Sequence, residues 1–363
     1  MKIGILTLPL GSNVGGVLQA FALQKYLMSL GYEVVILDRR RNDDKITMSL
    51  HGVAHFILGH VYTYFKLLRY HKIYSLNKFI KDYMICSPRL YDSRQLSKYI
   101  KNKSIDYLIV GSDQVWRKWN HDPGFTNIRE YFFDFLIENA NVEKIAYAVS
   151  FGTEEWDVGS DLESCRKSAQ LFKAISVREK SGVEICKNSL GLNAIQVLDP
   201  TMLLKKEVYQ KVMRHHQTAI DKNFIFCYFL DKFNTENIDI LKLEEFSGCT
   251  SYDYKEKNRH GLDATLWLNM LYNSKFVITD SFHGCVFSIL FNKPFVALGN
   301  KLRGQARFES LLSTFNLLDR LISGEQPEQI KSVLEKDINW SEVNDILESW
   351  RRKSFNFIIN SLS

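Results

Sequence analysis

The sequence feature that most constrains the fold is a repeated unit: a short apolar run, a turn of glycine and polar residues, then an apolar helix. The first unit has its apolar run at 3–8 and its Gly-rich turn at 11–16. The helix that follows carries one apolar stripe, made of Ala20, Leu23, Leu27 and Leu30. Another apolar run at 33–38 completes a strand–helix–strand unit, which is typical of a parallel sheet in an α/β protein.

The same unit recurs along the chain. Further strands are predicted at 106–110, 144–150, 174–177, 194–198, 223–230, 275–279 and 293–298. Pro200 and a loss of pattern after about Leu204 divide this series, and 363 residues are too many for one ordinary core. The sequence therefore predicts two α/β domains with mainly parallel sheets, at 1–205 and 218–340. A helix within 341–363 is expected to dock on a domain surface.

Composition narrows the class of protein. Apolar residues make up 45% and charged residues 24%, which excludes disorder, collagen and coiled coil as the main architecture. The net charge of +6 is too small for a nucleic-acid-binding protein, but it suits an anionic substrate or membrane surface. The six cysteines form no C-x-x-C pair, which argues against structural zinc, and a chain of this length can build a core without a disulfide framework. With no signal peptide or transmembrane run apparent, we expect a location in the reduced cytoplasm.

Polar clusters follow many of the predicted strands. Ligands of parallel α/β domains bind beyond the carboxyl ends of the strands, so clusters from two facing domains would converge in one cleft. In chain order the clusters are Asn13-x-Gly15-Gly16-x-Leu18-Gln19-Ala20, Gly111-Ser112-Asp113-Gln114-Val115-Trp116, Ser150-Phe151-Gly152, Ser176-x-Arg178-Glu179, Asp199-Pro200 and Asp280-Ser281-Phe282-His283-Gly284. This ordered set resembles the polysaccharide pyruvyl transferase family over roughly residues 3–320.

The resemblance implies a fold and a reaction. The fold would be two Rossmann-like domains in a GT-B-like arrangement with a cleft between them. The reaction would use phosphoenolpyruvate as donor and a sugar hydroxyl pair as acceptor. Its product would be a pyruvate ketal on a surface polysaccharide, such as an exopolysaccharide or capsule, or on its lipid-linked precursor. This chemistry does not itself demand a metal or another cofactor.

His283 and Arg178 are the leading site candidates. An imidazole can bind a phosphate oxygen or protonate a substrate near neutral pH, and the resemblance puts the matching histidine at the donor. The alternative for His283 is a residue that only caps the next helix. A guanidinium suits a phosphate or carboxylate, and the resemblance puts a donor-binding arginine at Arg178. The alternative for Arg178 is an interdomain ion pair with an acid such as Glu179.

The string around His283 departs from the family pattern. Some members carry arginine two residues before the histidine, where this chain has Ser281. Ser281, Phe282 and Gly284 remain candidate substrate-binding residues. Arg303 or Arg307 is expected to supply the missing cation; otherwise the donor geometry differs or the activity is reduced.

Two further turns are candidates. Asp113 could accept a proton from the attacking hydroxyl, or it could merely bond its own backbone in an Asx turn. Asn13, Gly15 and Gly16 precede a helix whose backbone N–H groups could hold an anion, or they could form a tight turn only. No Gly-Lys-Ser/Thr follows them, so this is not a Walker loop.

A basic, aromatic insert is predicted at about 45–90. Its part at 45–81 has no Asp or Glu and carries Lys45, Lys66, Arg69, Lys72, Lys78 and Lys81. Peripheral contact with the anionic inner face of a membrane is one interpretation, and a helical insert with a solvated basic face is the other. Histidines at 51, 55, 60 and 71 have no carboxylate near them in sequence, which argues against a metal site.

The function expected from these features is pyruvyl transfer from phosphoenolpyruvate to a sugar or lipid-linked glycan acceptor. His283 is the candidate acid, Asp113 the candidate base, and Arg178 the residue that grips the donor. Two alternatives stay open: a GT-B glycosyltransferase that uses a nucleotide sugar, and an inactive family member that serves as a scaffold in envelope polysaccharide assembly.

Overall fold

The computed structural model describes residues 1–11, 13–40, 76–118, 127–136, 142–213, 223–231, 244–245, 247–257, 261–299, 304–323 and 328–363. These residues form two α/β domains, each built on a parallel sheet. The first sheet has six strands and the second has five. The two-domain parallel architecture predicted from the sequence is therefore confirmed.

The first sheet has the strand order β2-β1-β3-β4-β5-β6, with every pairing parallel. Its strands are β1 (Lys2–Leu6), β2 (Glu33–Ile36), β3 (Tyr107–Val110), β4 (Glu143–Val149), β5 (Ala174–Val177) and β6 (Ile195–Gln196). The central strands are nearly continuous apolar runs, because a parallel sheet with helices on both faces is buried on both faces.

The second sheet has the order β11-β10-β9-β7-β8, again parallel throughout. Its strands are β7 (Phe224–Tyr228), β8 (Thr250–Asp253), β9 (Phe276–Thr279), β10 (Phe295–Gly299) and β11 (Leu321–Ser323). β7 and β9, at the middle of the sheet, are almost completely buried.

The helices lie between and around the sheets. They are α1 (Val14–Ser29), α2 (Ser93–Asn102), α3 (Leu162–Ala169), α4 (Lys180–Ile185), α5 (Pro200–Leu203), α6 (Lys206–Met213), α7 (Tyr254–Lys257), α8 (Ala264–Asn273), α9 (Phe282–Leu290), α10 (Gln305–Thr314), α11 (Glu328–Leu334) and α12 (Trp340–Leu362). No helix of the described ranges is both long and apolar enough to cross a membrane.

Helix α1 is buried on more faces than its predicted stripe. Val17, Phe21 and Gln24 are buried as well as Leu23 and Leu27. The reason is that α1 packs on β2 of its own domain and also against α5 and α8. Helix α1 therefore lies at the contact between the two domains.

An apolar bridge joins the domains beyond α1. The ring of Tyr209 on α6 lies 6.3 Å from Phe21 of α1 and 5.0 Å from Phe287 of α9, measured between centroids. Helix α6 falls between the two predicted domains and packs on α8 of the second one. The predicted boundaries at 205 and 218 stay predictions, because 214–222 lie outside the described residues.

The last helix, α12, follows the second sheet in sequence but packs on the first domain. Arg351 donates to the carbonyl oxygens of Met202 and Leu204 at 2.7 and 2.8 Å. The Oγ of Ser354 accepts from the N–H of Leu198 at 3.0 Å. The strand predicted at 194–198 stops at β6, because the backbone beyond it turns to meet α12.

Candidate active site

The carboxyl ends of the first sheet carry the turns that the sequence singled out. Asp113 follows β3, Arg178 follows β5 directly, and Asp199 follows β6 and caps α5. Neighbouring turns are joined, because the N–H of Phe151 after β4 donates to Oε1 of Glu179 at 2.9 Å. Asp113, Arg178, Glu179 and Asp199 are all buried.

His283 comes to these turns from the second domain. It lies in the first turn of α9, whose cap is Ser281: the Oγ of Ser281 accepts from the N–H of Gly284 at 3.4 Å. His283 is only 7% exposed, and its imidazole lies against Gly15 at the start of α1. A Cβ built on Gly15 would stand 2.1 Å from Nδ1 of His283, so glycine is what allows this contact between domains.

One oxygen of Asp199, Oδ2, lies within reach of donor groups from both domains. Its Oδ2 accepts from Nη1 of Arg178 at 2.9 Å and from Nε2 of Gln19, and it lies 3.7 Å from Nε2 of His283. Its Oδ1 accepts from the N–H and the hydroxyl of Thr201 at 3.0 and 2.6 Å. Burial raises the pKa of Asp199, but the imidazole, the guanidinium and Thr201 outweigh it and hold that pKa well below its usual range.

Arg178 is buried and lies between two carboxylates. Besides the bond to Asp199, its Nε lies 3.8 Å from Oε2 of Glu179. Its guanidinium carbon lies 4.3 Å from the ring centroid of Phe282, which is a cation–π contact. Burial lowers the pKa of Arg178, but the charges of Asp199, Glu179 and Asp113 raise it above its ordinary value. The ion pair with Glu179 lies within the first domain and is not interdomain.

A second cation, Arg307 on α10, shares the ring of Phe282. Its guanidinium carbon lies 5.7 Å from the ring centroid. Burial and the charge of Arg178 lower the pKa of Arg307 to about 10, which leaves it a cation at neutral pH. A Cβ on Gly304, at the start of α10, would lie 2.4 Å from the carbonyl oxygen of Gly152, so the domains also meet closely here.

Asp113 and Asn13 both make local turn bonds. The Oδ1 of Asp113 accepts from the N–H of Gln114 at 2.8 Å, and its Oδ2 faces Gly16, where a Cβ would lie 3.1 Å away. Asn13 caps α1, with its Oδ1 accepting from the N–H of Gly15 at 2.9 Å. Asp113 Oδ2 is therefore turned towards the Gly-rich turn, at the residue after the Gly15 that His283 contacts.

Some residues predicted from the sequence are not part of this cluster of side chains. Arg303 and most of the basic segment, including the histidines at 51, 55, 60 and 71, lie outside the described residues. Among the residues that are described, no cluster of His, Cys, Asp and Glu could hold a metal ion. Ser281 serves as a helix cap.

No role was predicted from the sequence for Asp199 or Gln19, and Glu179 was considered only as an ion-pair partner of Arg178, although all three stand in the quoted motifs. The signal for Asp199 is its place after a strand and before Pro200, where an aspartate caps a helix.

An open cleft of about 740 Å³ lies between the domains. Its walls come from α4 of the first domain and α10 of the second. Its polar lining includes Glu154, Lys180, Glu184, Glu309, Ser310 and Ser313. The cleft that the sequence predicted between the domains is thus present, but its lining includes neither the guanidinium of Arg178 nor that of Arg307. Arg178 instead lines a much smaller cavity, of about 20 Å³, together with Asp199 and Phe282.

Comparison with known sequences gives one family. The model of the family described as polysaccharide pyruvyl transferase matches residues 13–301, well over half of the chain. No curated protein sequence matches the chain.

Comparison with solved structures gives the fold. The UDP-GlcNAc 2-epimerase of Methanocaldococcus jannaschii has 14% identity and a TM-score of 0.55, covering 99% of this chain and 100% of its own. The UDP-N-acetylglucosamine 2-epimerase of Rickettsia bellii has 11% identity and a TM-score of 0.54, covering 99% and 96%. Medicago truncatula UGT71G1, solved with UDP-glucose, has 10% identity and a TM-score of 0.51, covering 100% and 98%. These epimerases and glycosyltransferases have the GT-B fold, so the predicted GT-B-like arrangement is confirmed.

Proposed function

The chain belongs to the polysaccharide pyruvyl transferase family, a family of transferases that modify polysaccharides, and from that membership we propose its substrates and chemistry. The donor is phosphoenolpyruvate, and the acceptor is a pair of hydroxyls on a sugar or lipid-linked glycan. The product is a pyruvate ketal on an exopolysaccharide, a capsule or their precursor. The observation that carries this proposal is the pair of buried guanidiniums, Arg178 and Arg307, that share the ring of Phe282 beside His283.

The charges of the site suit this donor. Phosphoenolpyruvate carries a phosphate and a carboxylate, and planar guanidinium groups bind both kinds of anion through paired hydrogen bonds. Arg178 lies between Asp199 and Glu179, and Arg307 adds a second guanidinium next to it. Arg307 takes the place of the arginine that some family members carry where this chain has Ser281.

The proposed chemistry begins at the double bond of the donor. His283 gives a proton to C3 of phosphoenolpyruvate while a sugar hydroxyl adds to C2 and loses its proton to Asp113. Phosphate then leaves with the electron pair of its bond to C2, and the second hydroxyl closes the ketal on C2 and gives its proton to the departing phosphate. Because His283 lies against Gly15, the domains have to part to admit the donor and close again around it.

The proposed acceptor determines the cellular location that we propose for the reaction. We place the protein in the cytoplasm, with segment 45–81 as the candidate for peripheral contact with an anionic membrane that holds a lipid-linked acceptor. No nucleic acid and no cofactor enter the scheme.

A nucleotide-sugar donor is the main alternative, because a plant glycosyltransferase of the same fold was solved with UDP-glucose. Calorimetric titration of the protein with phosphoenolpyruvate and, separately, with UDP-glucose distinguishes the two. We expect binding of phosphoenolpyruvate only. Arg307→Gln should weaken it by at least about tenfold, as expected when one charged hydrogen bond is lost. Arg166→Gln is the matched control, because Arg166 bonds Glu163 and Ser189.

The result that overturns the proposal is binding of UDP-glucose without phosphoenolpyruvate. Equal weakening by both arginine substitutions removes Arg307 from the donor site. Binding of phosphoenolpyruvate without any turnover favours the inactive scaffold.

A further inference from the structure

We propose that Asp199 is a positioning residue that fixes both the imidazole of His283 and the guanidinium of Arg178 for the reaction. The kinetic consequence rests on the proposed function, whereas the contacts of Asp199 Oδ2 do not depend on it. Oδ2 of Asp199 contacts Arg178 and Gln19 from the first domain and faces His283 from the second. No role was expected of Asp199 from the sequence.

The two nitrogens of His283 face different surroundings. Nε2 lies 3.7 Å from Oδ2 of Asp199, and Nδ1 is the ring atom nearest the position of a Cβ on Gly15. A carboxylate at one nitrogen favours the tautomer that has its proton there. The separation exceeds a hydrogen bond, as is common in active sites before substrate tightens them. The geometry therefore assigns the neutral proton to Nε2. Nδ1 packs on Gly15 here, and it exchanges a proton with the substrate once the domains have parted and closed again around the donor.

This assignment balances the first step. The imidazolium carries a proton on each nitrogen, and its charge is neutralised by Asp199. The N–H bond at Nδ1 breaks and a C–H bond forms at C3 of phosphoenolpyruvate. His283 is left neutral with its proton on Nε2, facing Asp199. Asp199 itself exchanges no proton.

An amide cannot replace this carboxylate, because the other oxygen is already committed. Oδ1 accepts two hydrogen bonds from Thr201. In Asp199→Asn the amide oxygen keeps those bonds, which turns the NH₂ group towards Arg178 and His283. A donor then faces donors, so Arg178 loses its acceptor and the imidazole loses its anion.

The test is the tautomer of His283, read by long-range ¹H–¹⁵N correlation NMR on histidine-labelled full-length protein at alkaline pH. The His283 signals are assigned by their loss in His283→Gln. We expect the wild-type ring to be protonated on Nε2, and this preference to be lost in Asp199→Asn. Thr201→Val is the matched control: it removes one bond to Oδ1, leaves Oδ2 untouched, and should keep the wild-type tautomer.

The kinetic counterpart is the split between kcat and KM for phosphoenolpyruvate. Asp199→Asn should lower kcat by about 10²- to 10⁴-fold, the range for loss of acid–base help. Thr201→Val should stay within a few-fold of wild type. A purely structural role for Asp199 predicts that folded Asp199→Asn keeps a kcat near the wild-type value and loses only stability.

Two results would overturn the positioning role of Asp199, and a third would separate it from the proposed function. A wild-type ring protonated on Nδ1 overturns the proposal, and this measurement needs no variant to fold. An unchanged tautomer in folded Asp199→Asn overturns it as well. If the tautomer behaves as expected but no preparation turns over phosphoenolpyruvate, the proposed function fails while the positioning by Asp199 stands.

Discussion

The imidazole of His283 fills the space that a side chain on Gly15 would need, so a residue of the second domain is fitted against a residue of the first. His283 opens α9 and Gly15 lies in the first turn of α1. Each comes from a turn that follows a parallel strand, β9 and β1 respectively. The candidate active site is therefore assembled by the contact between the domains. Neither domain alone contains both His283 and the residues that it contacts.

Gly15→Ala tests this contact. The new methyl group would displace the imidazole, so we expect a loss of about 1–3 kcal/mol in the free energy of unfolding, as for other overpacked sites, and a large loss of activity. The measurement is urea unfolding of the single variants and of Gly15→Ala with His283→Ala. In the double variant the cost of the alanine should largely disappear.

Gly299→Ala is the control for that substitution. A Cβ on Gly299 would meet its nearest atom at 3.4 Å, an ordinary contact, so little change is expected. Equal costs of Gly15→Ala with and without His283 would contradict the contact as described.

Arg178→Lys tests the grip on the donor. A lysine keeps the charge but lacks the planar fork that bonds Asp199 and faces the ring of Phe282. We expect KM for phosphoenolpyruvate to rise by roughly tenfold or more, about 1.4 kcal/mol or above. Steady-state kinetics over a range of donor concentrations measures it. Arg166→Lys should leave KM unchanged, and an equal change in both variants would make Arg178 merely structural.

Much of the fold could be read from the sequence because the central strands are buried on both faces. Runs such as those of β3 and β7 are apolar throughout, and the turns after them carry glycine and charge. The edge strands β8 and β11 were missed. β8 reads Thr-Ser-Tyr-Asp, which has no apolar run, and its place in the sheet comes from pairing with β7 rather than from its own pattern.

The site was predicted one residue at a time, and its connections were not. His283 and Arg178 stand out because each follows a strand and carries a reactive group. Asp199 joins them only in three dimensions: it is 84 positions before His283 in the chain, since 283 − 199 = 84. No local pattern contains that relation. The placing of α12 on the first domain was likewise out of reach, because an amphipathic helix does not name its partner.

Asp199→Asn should show a defined dependence of stability on pH. The pKa of Asp199 is lowered in the folded protein, so its contribution is fully present above the unfolded value of about 3.9 and is lost as pH falls towards the lower folded value. At pH 7 the free energy of unfolding of the variant should be roughly 3–5 kcal/mol lower than that of the wild type, which is the cost of breaking a buried ion pair. Urea unfolding at several pH values measures this gap in the free energy of unfolding between wild type and variant, and the gap should narrow below about pH 4. A gap that is constant down to the acid limit would contradict the lowered pKa.

Lys66, Arg69 and Lys72, in the basic segment 45–81, are predicted to attract an anionic membrane. Each cation near such a surface contributes about 1 kcal/mol. Changing all three to glutamine should weaken binding to anionic liposomes by at least about tenfold, and high salt should do the same. Changing Lys98, Lys101 and Lys103, exposed residues on and after α2, removes the same charge and should have little effect. Loss of binding in both triple variants alike would mean that only net charge matters.

The most direct test of the account is turnover by the intact protein with phosphoenolpyruvate and candidate lipid-linked glycans, followed by phosphate release and by product mass. The account predicts that phosphate appears together with a glycan heavier by one pyruvate less one water. It also predicts that His283→Ala lowers the rate by about 10²- to 10⁴-fold while the variant stays folded. A glycan that gains a sugar from UDP-glucose instead, or near-normal turnover in His283→Ala, would contradict it.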